Sequence, residues 1–358
     1  LPAPAAGGHP PALPLMLQFV CRVLVGRVTE AEVEHLTDEQ WRTVLTIATA
    51  GRVEAVLAHH LPASTPEFIR HALARRAKRI AFAWMWAERE LQSVLAQMTP
   101  AVGPVVVLKG HAIAPLVYPD AAMRSTNDID LLVSRRDAGD AAQALVSLGY
   151  VETNLFPTRP ASQDAYHERV FSRELVAGRV RQPIEIHTGF AQSFRHRIDY
   201  DELIARSISC GAGHRLSDVD QLLHFAVHSA REQFLGPLKQ LLDVHLWITK
   251  RALDWDRVVS RAQRYGVASA LWETLRLTNQ LFDTPLDPAA AALQPGRLRQ
   301  QWLGYWHAPN DRGLTRWPAT MRTAQAMALL PLLDSTGDRA RFLAAYGRLR
   351  VRDAWSSR

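Results

Sequence analysis

Two short apolar runs bracket the most constrained stretch of the chain, VVVLKGHAIAPLVYPDAAMRSTNDIDLLV, residues 105–133. The first run ends in Lys109-Gly110, and the second opens on Asp128-Ile129-Asp130. Side chains alternate between the faces of a strand, so Asp128 and Asp130 share one face while Ile129 and Leu131 share the other. Two carboxylates held side by side in a partly desolvated place raise each other's pKa, and a hard divalent cation relieves that cost. A bare D-x-D also ends many strands with both side chains in water, so its meaning depends on what surrounds it.

The surroundings read as a compact mixed α/β block. The pattern predicts a strand over Val105–Leu108, a helix over Ala112–Tyr118, a strand over Asp128–Val133 and a helix over Asp137–Leu148 stopped by Gly149. Further strands are expected over Tyr150–Asn154, Tyr166–Phe171 and Arg181–His187. Helical periodicity dominates on both sides. Upstream, Asp38-Glu39-Gln40 precedes an apolar-periodic run from Trp41 to Leu61, and Thr65-Pro66-Glu67 opens a long helix through Gln97. Its early turns carry Arg70, Arg75, Arg76, Lys78 and Arg79, either a solvated face or a surface for a polyanion. Downstream of Asp199 three helical stretches lead to a Pro- and Ala-rich break at Pro285–Pro295, then an arginine- and tryptophan-rich tail with a helix near Ala324–Leu333.

The expected fold class is therefore α+β, a small mixed β-sheet core flanked by N- and C-terminal helical regions. The expected divisions are a flexible leader over 1–12, a helical region over 13–99, an α/β core over 100–198 and a second helical region over 199–358. With 358 residues and 47% hydrophobic content there is ample material for a core. No run of 18 apolar residues occurs, so a membrane span is not expected. The leader has the wrong order of basic and apolar segments for a signal peptide, and a cytoplasmic protein is expected. Cys21 and Cys210 lack metal-ligand spacing and read as small buried hydrophobes. The net charge of +7 favours polyanionic partners, although arginine excess also follows from genome composition.

Around the aspartates, Glu185 lies on a neighbouring predicted strand, with His187 two residues on and so on the same face. A third carboxylate there would complete a site for one or two cations. Lys109 and Gly110 sit at a strand-to-helix turn, where free N–H groups favour phosphate and glycine permits close approach. Arg124 is either a phosphate grip or half of an ion pair with Asp120 or Glu185. His224 and His228, four apart, have a zinc-compatible spacing, but Phe225 stands where a zinc peptidase needs glutamate, and structural histidines are the expectation. His228, Asp243 and Lys239 are candidates for a cleft wall, Lys239 as a phosphate ligand.

Taken in order, L-K-G, Tyr118-Pro119, Arg124, D-I-D-L-L-V, a helix ending L-G-Y and then I-E-I-H resemble the uncharacterised nucleotidyltransferase family within the polymerase-beta-type superfamily. Members resemble the toxins of abortive-infection systems, and some accompany lasso-peptide genes. The resemblance implies NMP transfer from an NTP such as ATP, with pyrophosphate released, to an acceptor that is a small molecule, a peptide or RNA. Mg²⁺, or Mn²⁺ in its place, would be held by Asp128, Asp130 and Glu185. Lys109-Gly110 stands where the superfamily keeps Gly-Ser, so a lysine charge replaces a hydroxyl donor. His187 would contact substrate or support the ligands. A toxin-like nucleotidyltransferase acting on tRNA is the alternative within the same chemistry, and a non-catalytic nucleotide- or peptide-binding module is the alternative from another class.

Overall fold

The computed structural model describes residues 13–153, 168–176, 180–190, 196–234, 236–307 and 329–356. The leader lies outside these residues, as does the first half of the helix expected near Ala324–Leu333, whose described half contains a 3₁₀ turn at Leu330–Leu332. The chain begins with helices α1 (Leu15–Leu24), α2 (Glu30–Glu34), α3 (Asp38–Gly51), α4 (Glu54–His60) and α5 (Glu67–Val102). The apolar period from Trp41 onward is split between α3 and α4. Arg52 adopts a left-handed conformation, φ 56°, that ends α3. Thr37 and Gln40 form a capping box that starts it, which is why the polar run before Trp41 is already helical. Thr65 does not cap α5, because its hydroxyl donates to the Pro62 carbonyl at 2.7 Å. The helix nevertheless runs past Pro100, to a glycine cap at Gly103.

The α/β block follows as β1 (Val106–Val107), α6 (Lys109–Val117), a 3₁₀ turn at Ala121–Met123, β2 (Ile129–Leu132), α7 (Ala138–Ser147), β3 (Val151–Thr153), β4 (Glu168–Val176) and β5 (Val180–His187). Each predicted element is present with shifted ends. The shift that matters most to the cleft is in α6, which starts at Lys109, so Lys109 and Gly110 form its first turn. Gly149, φ 84°, closes α7 in the left-handed region, and the Tyr150 N–H returns to the Leu145 carbonyl at 3.1 Å.

After α8 (Tyr200–Ala205) comes a hairpin, β6 (Ile208–Cys210) and β7 (Gly213–Arg215), where the sequence suggested only helix. The signal for it was the CGAG turn, with Gly211 at φ 59°. Cys210 is exposed on this hairpin, contrary to expectation, whereas Cys21 is buried. The remaining helices are α9 (Asp218–Arg231), α10 (Lys239–Lys250), α11 (Trp255–Tyr265), α12 (Ala268–Phe282), α13 (Arg297–Trp306) and α14 (Thr336–Ser356).

Among the described residues the strands form one sheet in the order β3-β4-β5-β2-β1-β7-β6. The architecture is α+β, with a mixed sheet among flanking helices. β2 runs antiparallel to β1 and parallel to β5. Ile129 and Leu131 pair with Ile184 and Ile186, and all four are buried on the hydrophobic face. The opposite face of the same strands carries Asp130 and Glu185 in direct register. A one-residue slip would turn these carboxylates into the hydrocarbon, so the apolar alternation fixes the register. One continuous core extends from Leu17 in α1 through the sheet to Phe342 in α14.

Helix α5 is tied to the sheet by a buried carboxylate. Glu90 accepts from the Tyr150 hydroxyl and from the Arg173 guanidinium, which also donates to the Leu148 carbonyl. Replacing Glu90 by alanine removes the acceptor that both donors share, at a cost of about 3 kcal/mol. A lowered denaturation midpoint in Glu90→Ala, with most of the loss restored in Glu90→Gln, is the expected result of urea titration.

Candidate active site

Strand β2 presents Asp130 at the centre of the sheet, almost fully buried at 3% exposure. Its neighbour in register, Glu185, is partly exposed, and His187 follows two residues later at 1% exposure. Ligand atoms of Asp130, Glu185 and His187 all lie within 4.8 Å of one another. His187 Nε2 is 2.9 Å from Asp130 Oδ1 and 3.3 Å from Glu185 Oε2. Two carboxylates and an imidazole are thus gathered on one sheet face. Asp128, just before β2, lines the adjoining cleft instead. It acts there as a negative charge near Lys109 and Arg124.

Lys109 completes the cluster. Its Nζ lies 2.6 Å from Asp130 Oδ1, the same oxygen that His187 contacts. The residue has φ 51°, a left-handed conformation that costs a non-glycine side chain about 1–3 kcal/mol. The Leu108 N–H donates to the Asp130 carbonyl at 2.9 Å, so the turn is stitched to β2 immediately before Lys109. Burial pulls the Lys109 pKa down, but the charges of Asp130, Asp128 and Glu185 outweigh it and the net shift is upward. Burial likewise opposes ionisation of Asp130, yet Lys109 and His187 hold its carboxyl well below the usual range. His187 reaches about 9, because hydrogen bonds to Asp130 and Glu185 overcome its burial. The cluster is therefore charged and internally neutralised at neutral pH.

Beside it opens a cleft of about 330 Å³ between the α/β block and helices α9 and α10. Its lining includes the cations Lys109, Arg52, Arg124 and Lys239 together with His224 and His228. Lys239, in the first turn of α10, donates to the Ser125 carbonyl at 2.7 Å. Burial and the nearby charge of Arg124 lower its pKa to about 7. Arg52 Nη1 lies 2.8 Å from the side-chain amide of Asn127. No sequence signal marked Arg52, whose place on the cleft follows from the left-handed break after α3. His224 is buried and neutral, its pKa lowered by burial to about 3, and its Nδ1 lies 3.3 Å from the Gln221 amide nitrogen. The zinc-like spacing of His224 and His228 brings no third ligand to them among the described residues.

Arg124 and Gly110 serve the cleft by a different route from the one expected. The Arg124 guanidinium grips Asp243 of α10 through Nε at 2.9 Å and Nη2 at 2.7 Å, and neither Asp120 nor Glu185 is its partner. Asp120 caps the 3₁₀ turn through the Ala122 N–H. The Tyr118 hydroxyl donates to Asp243 at 2.6 Å. A side chain at Gly110 would collide with Nη1 of Arg124, so what approaches this glycine closely is the guanidinium. The Tyr118–Asp243–Arg124 group locks α6, the 3₁₀ turn and α10 together behind the cleft. Removing the carboxylate in Asp243→Ala leaves a buried guanidinium unpaired and should cost about 3–5 kcal/mol, read as a fall in thermal midpoint.

No curated protein and no solved structure matches the chain significantly. A family model described as an uncharacterised nucleotidyltransferase matches residues 37–283, a span that takes in the sheet, the acidic cluster and the helices that wall the cleft. By that match, which covers more than two thirds of the sequence, the chain belongs to the uncharacterised nucleotidyltransferase family.

Proposed function

We propose that the protein transfers a nucleoside monophosphate from an NTP to an acceptor nucleophile in a divalent-metal-dependent reaction. The observation that carries this reading is the convergence of Asp130, Glu185 and His187 on one sheet face, joined through Lys109 to a cation-lined cleft, inside a nucleotidyltransferase domain. The donor set fits a divalent cation. Carboxylate oxygens suit Mg²⁺, the imidazole nitrogen admits Mn²⁺, and among the described residues the buried Nδ1 of His187 has no hydrogen-bond partner to tie the ring elsewhere. Asp130, Glu185 and His187 would hold the ion, with Asp128 on the cleft side. A bound divalent cation would neutralise charge on the transferring phosphoryl group and the departing pyrophosphate.

The protein's own groups supply the rest. Lys109 and Lys239 offer charge to triphosphate oxygens, while Arg124, its charge met by Asp243, holds the back of the cleft in place. The acceptor oxygen attacks the α-phosphorus. A new O–P bond forms, the bond to the β-phosphate oxygen breaks, and pyrophosphate leaves with the electron pair. The acceptor proton passes to Asp128 or Glu185, the two carboxylates flanking Asp130.

A polyanionic acceptor such as RNA is the second reading. Arg75, Lys78 and Arg79 are exposed on α5, and Arg79 lines a smaller hollow of about 170 Å³ with Ser125, Thr126 and Asn127, directly before Asp128. Incubating the protein with each labelled NTP and a cell extract separates the acceptor classes by whether label enters RNA, protein or a small molecule.

Asp130→Asn should abolish pyrophosphate release while circular dichroism stays that of the parent protein, and undiminished turnover would refute the assignment. Lys239 gives a pH signature. Its folded pKa of about 7 means that it is charged below that pH and neutral above it. Triphosphate affinity, followed by calorimetry, should weaken from pH 6 to pH 8 in the parent protein. The change should be smaller in Lys239→Arg, whose charge persists throughout that range.

A further inference from the structure

We propose that Lys109 is a place-holder for the cation: its ammonium neutralises the acidic cluster of the empty protein, and it must leave Asp130 when metal and nucleotide enter. The inference rests on the metal-dependent reading above and names how that site is regulated.

The crowding at one oxygen is the first argument. Asp130 Oδ1 receives Lys109 Nζ at 2.6 Å and His187 Nε2 at 2.9 Å. A divalent cation bound to a carboxylate oxygen sits at about 2.0–2.1 Å for Mg²⁺. An ammonium on the same oxygen would then face it at close range with like charge. Lys109 and the cation therefore compete for Asp130.

Charge balance makes the competition consequential. Asp128, Asp130 and Glu185 all act on the Lys109 ammonium, so its removal leaves an acidic cluster short of a counter-charge. A carboxylate cluster that lacks its counter-charge draws in another cation. The empty protein accordingly binds metal weakly because it already carries an internal cation, and a variant without that cation binds metal more tightly.

Lys109 also has somewhere to go. It lines the cleft as well as touching Asp130, in company with Arg52 and Lys239. A triphosphate in that cleft offers the ammonium phosphate oxygens in exchange for the carboxylate, and the vacated oxygen becomes available to metal. Nucleotide and metal thereby strengthen each other's binding, as linkage requires of two ligands that share one displaced group. The reaction site is then charged with cation only when the phosphates that need it are present.

The test is Mn²⁺ binding without nucleotide, read from the loss of the free-ion electron paramagnetic resonance signal. Lys109→Met should bind Mn²⁺ at least tenfold more tightly than the parent protein, and adding Asp130→Asn should remove the gain. Equal affinities in parent and Lys109→Met, with Asp130→Asn still abolishing binding, would overturn the place-holder and leave the metal site intact. Binding indifferent to Asp130→Asn, or absent from every variant, would overturn the metal reading and the inference together. A second readout needs no variant: acetic anhydride labelling of the parent protein, quantified by peptide mass spectrometry. Millimolar Mn²⁺ should raise labelling of Lys109 several-fold relative to Lys250, which is held by the Val117 carbonyl at 2.6 Å. An unchanged ratio would overturn the proposal even if Lys109→Met failed to fold.

Discussion

The parallel pairing of β2 with β5 is the constraint on which the site depends. It sets Asp130 beside Glu185 because Ile129, Leu131, Ile184 and Ile186 must share the buried face. Hydrophobic burial of these four side chains, roughly 1.5–3 kcal/mol each, thus also determines where the charged groups go. Like charges so placed need compensation. Lys109 and His187 provide it at a single carboxylate oxygen.

The same principle organises the back of the cleft. Asp243 comes from a helix far along the chain and is buried, which is tolerable only because Arg124 and Tyr118 satisfy it. Gly110 lacks a side chain so that the guanidinium can lie against α6. Lys239, one helical turn before Asp243, then falls on the loop that leads into Asp128. Burial, and then the neighbouring charge of Arg124, push its pKa down to about 7. The cleft owes its cationic lining to this packing of α10 against the α/β block, as much as to the turn that carries Lys109.

Belonging to a nucleotidyltransferase family and possessing a cation-lined cleft are consistent with one another, but they come from different physics. The family match covers the segment that builds the sheet and the first helices of the C-terminal half. The helix pair α9 and α10 supplies much of the cleft wall. No helix among the described residues is long and apolar enough to cross a membrane.

Much of this was readable in the order of the amino acids. The alternation in DIDLL and IEIH placed both acids on one face of their strands, and Gly149 marked the end of its helix. Those are local rules, acting over two to four residues. The hairpin at residues 208–215 went unread because its strands are three residues each, too short for a period to declare itself. The break at Arg52 was hidden because the apolar period continues across it.

Only the tertiary structure decided which residues share an atom. Arg124 finds its partner 119 residues away in Asp243, a choice that no spacing rule expresses. His187 and Lys109 meet on Asp130 because two strands and a turn bring them from distances of 57 and 21 residues. The sequence by itself determined the alternating faces, the helix stops and the presence of the acids. The register between strands and the docking of α10 decided what neutralises those acids, because charge compensation is a property of space and not of order along the chain.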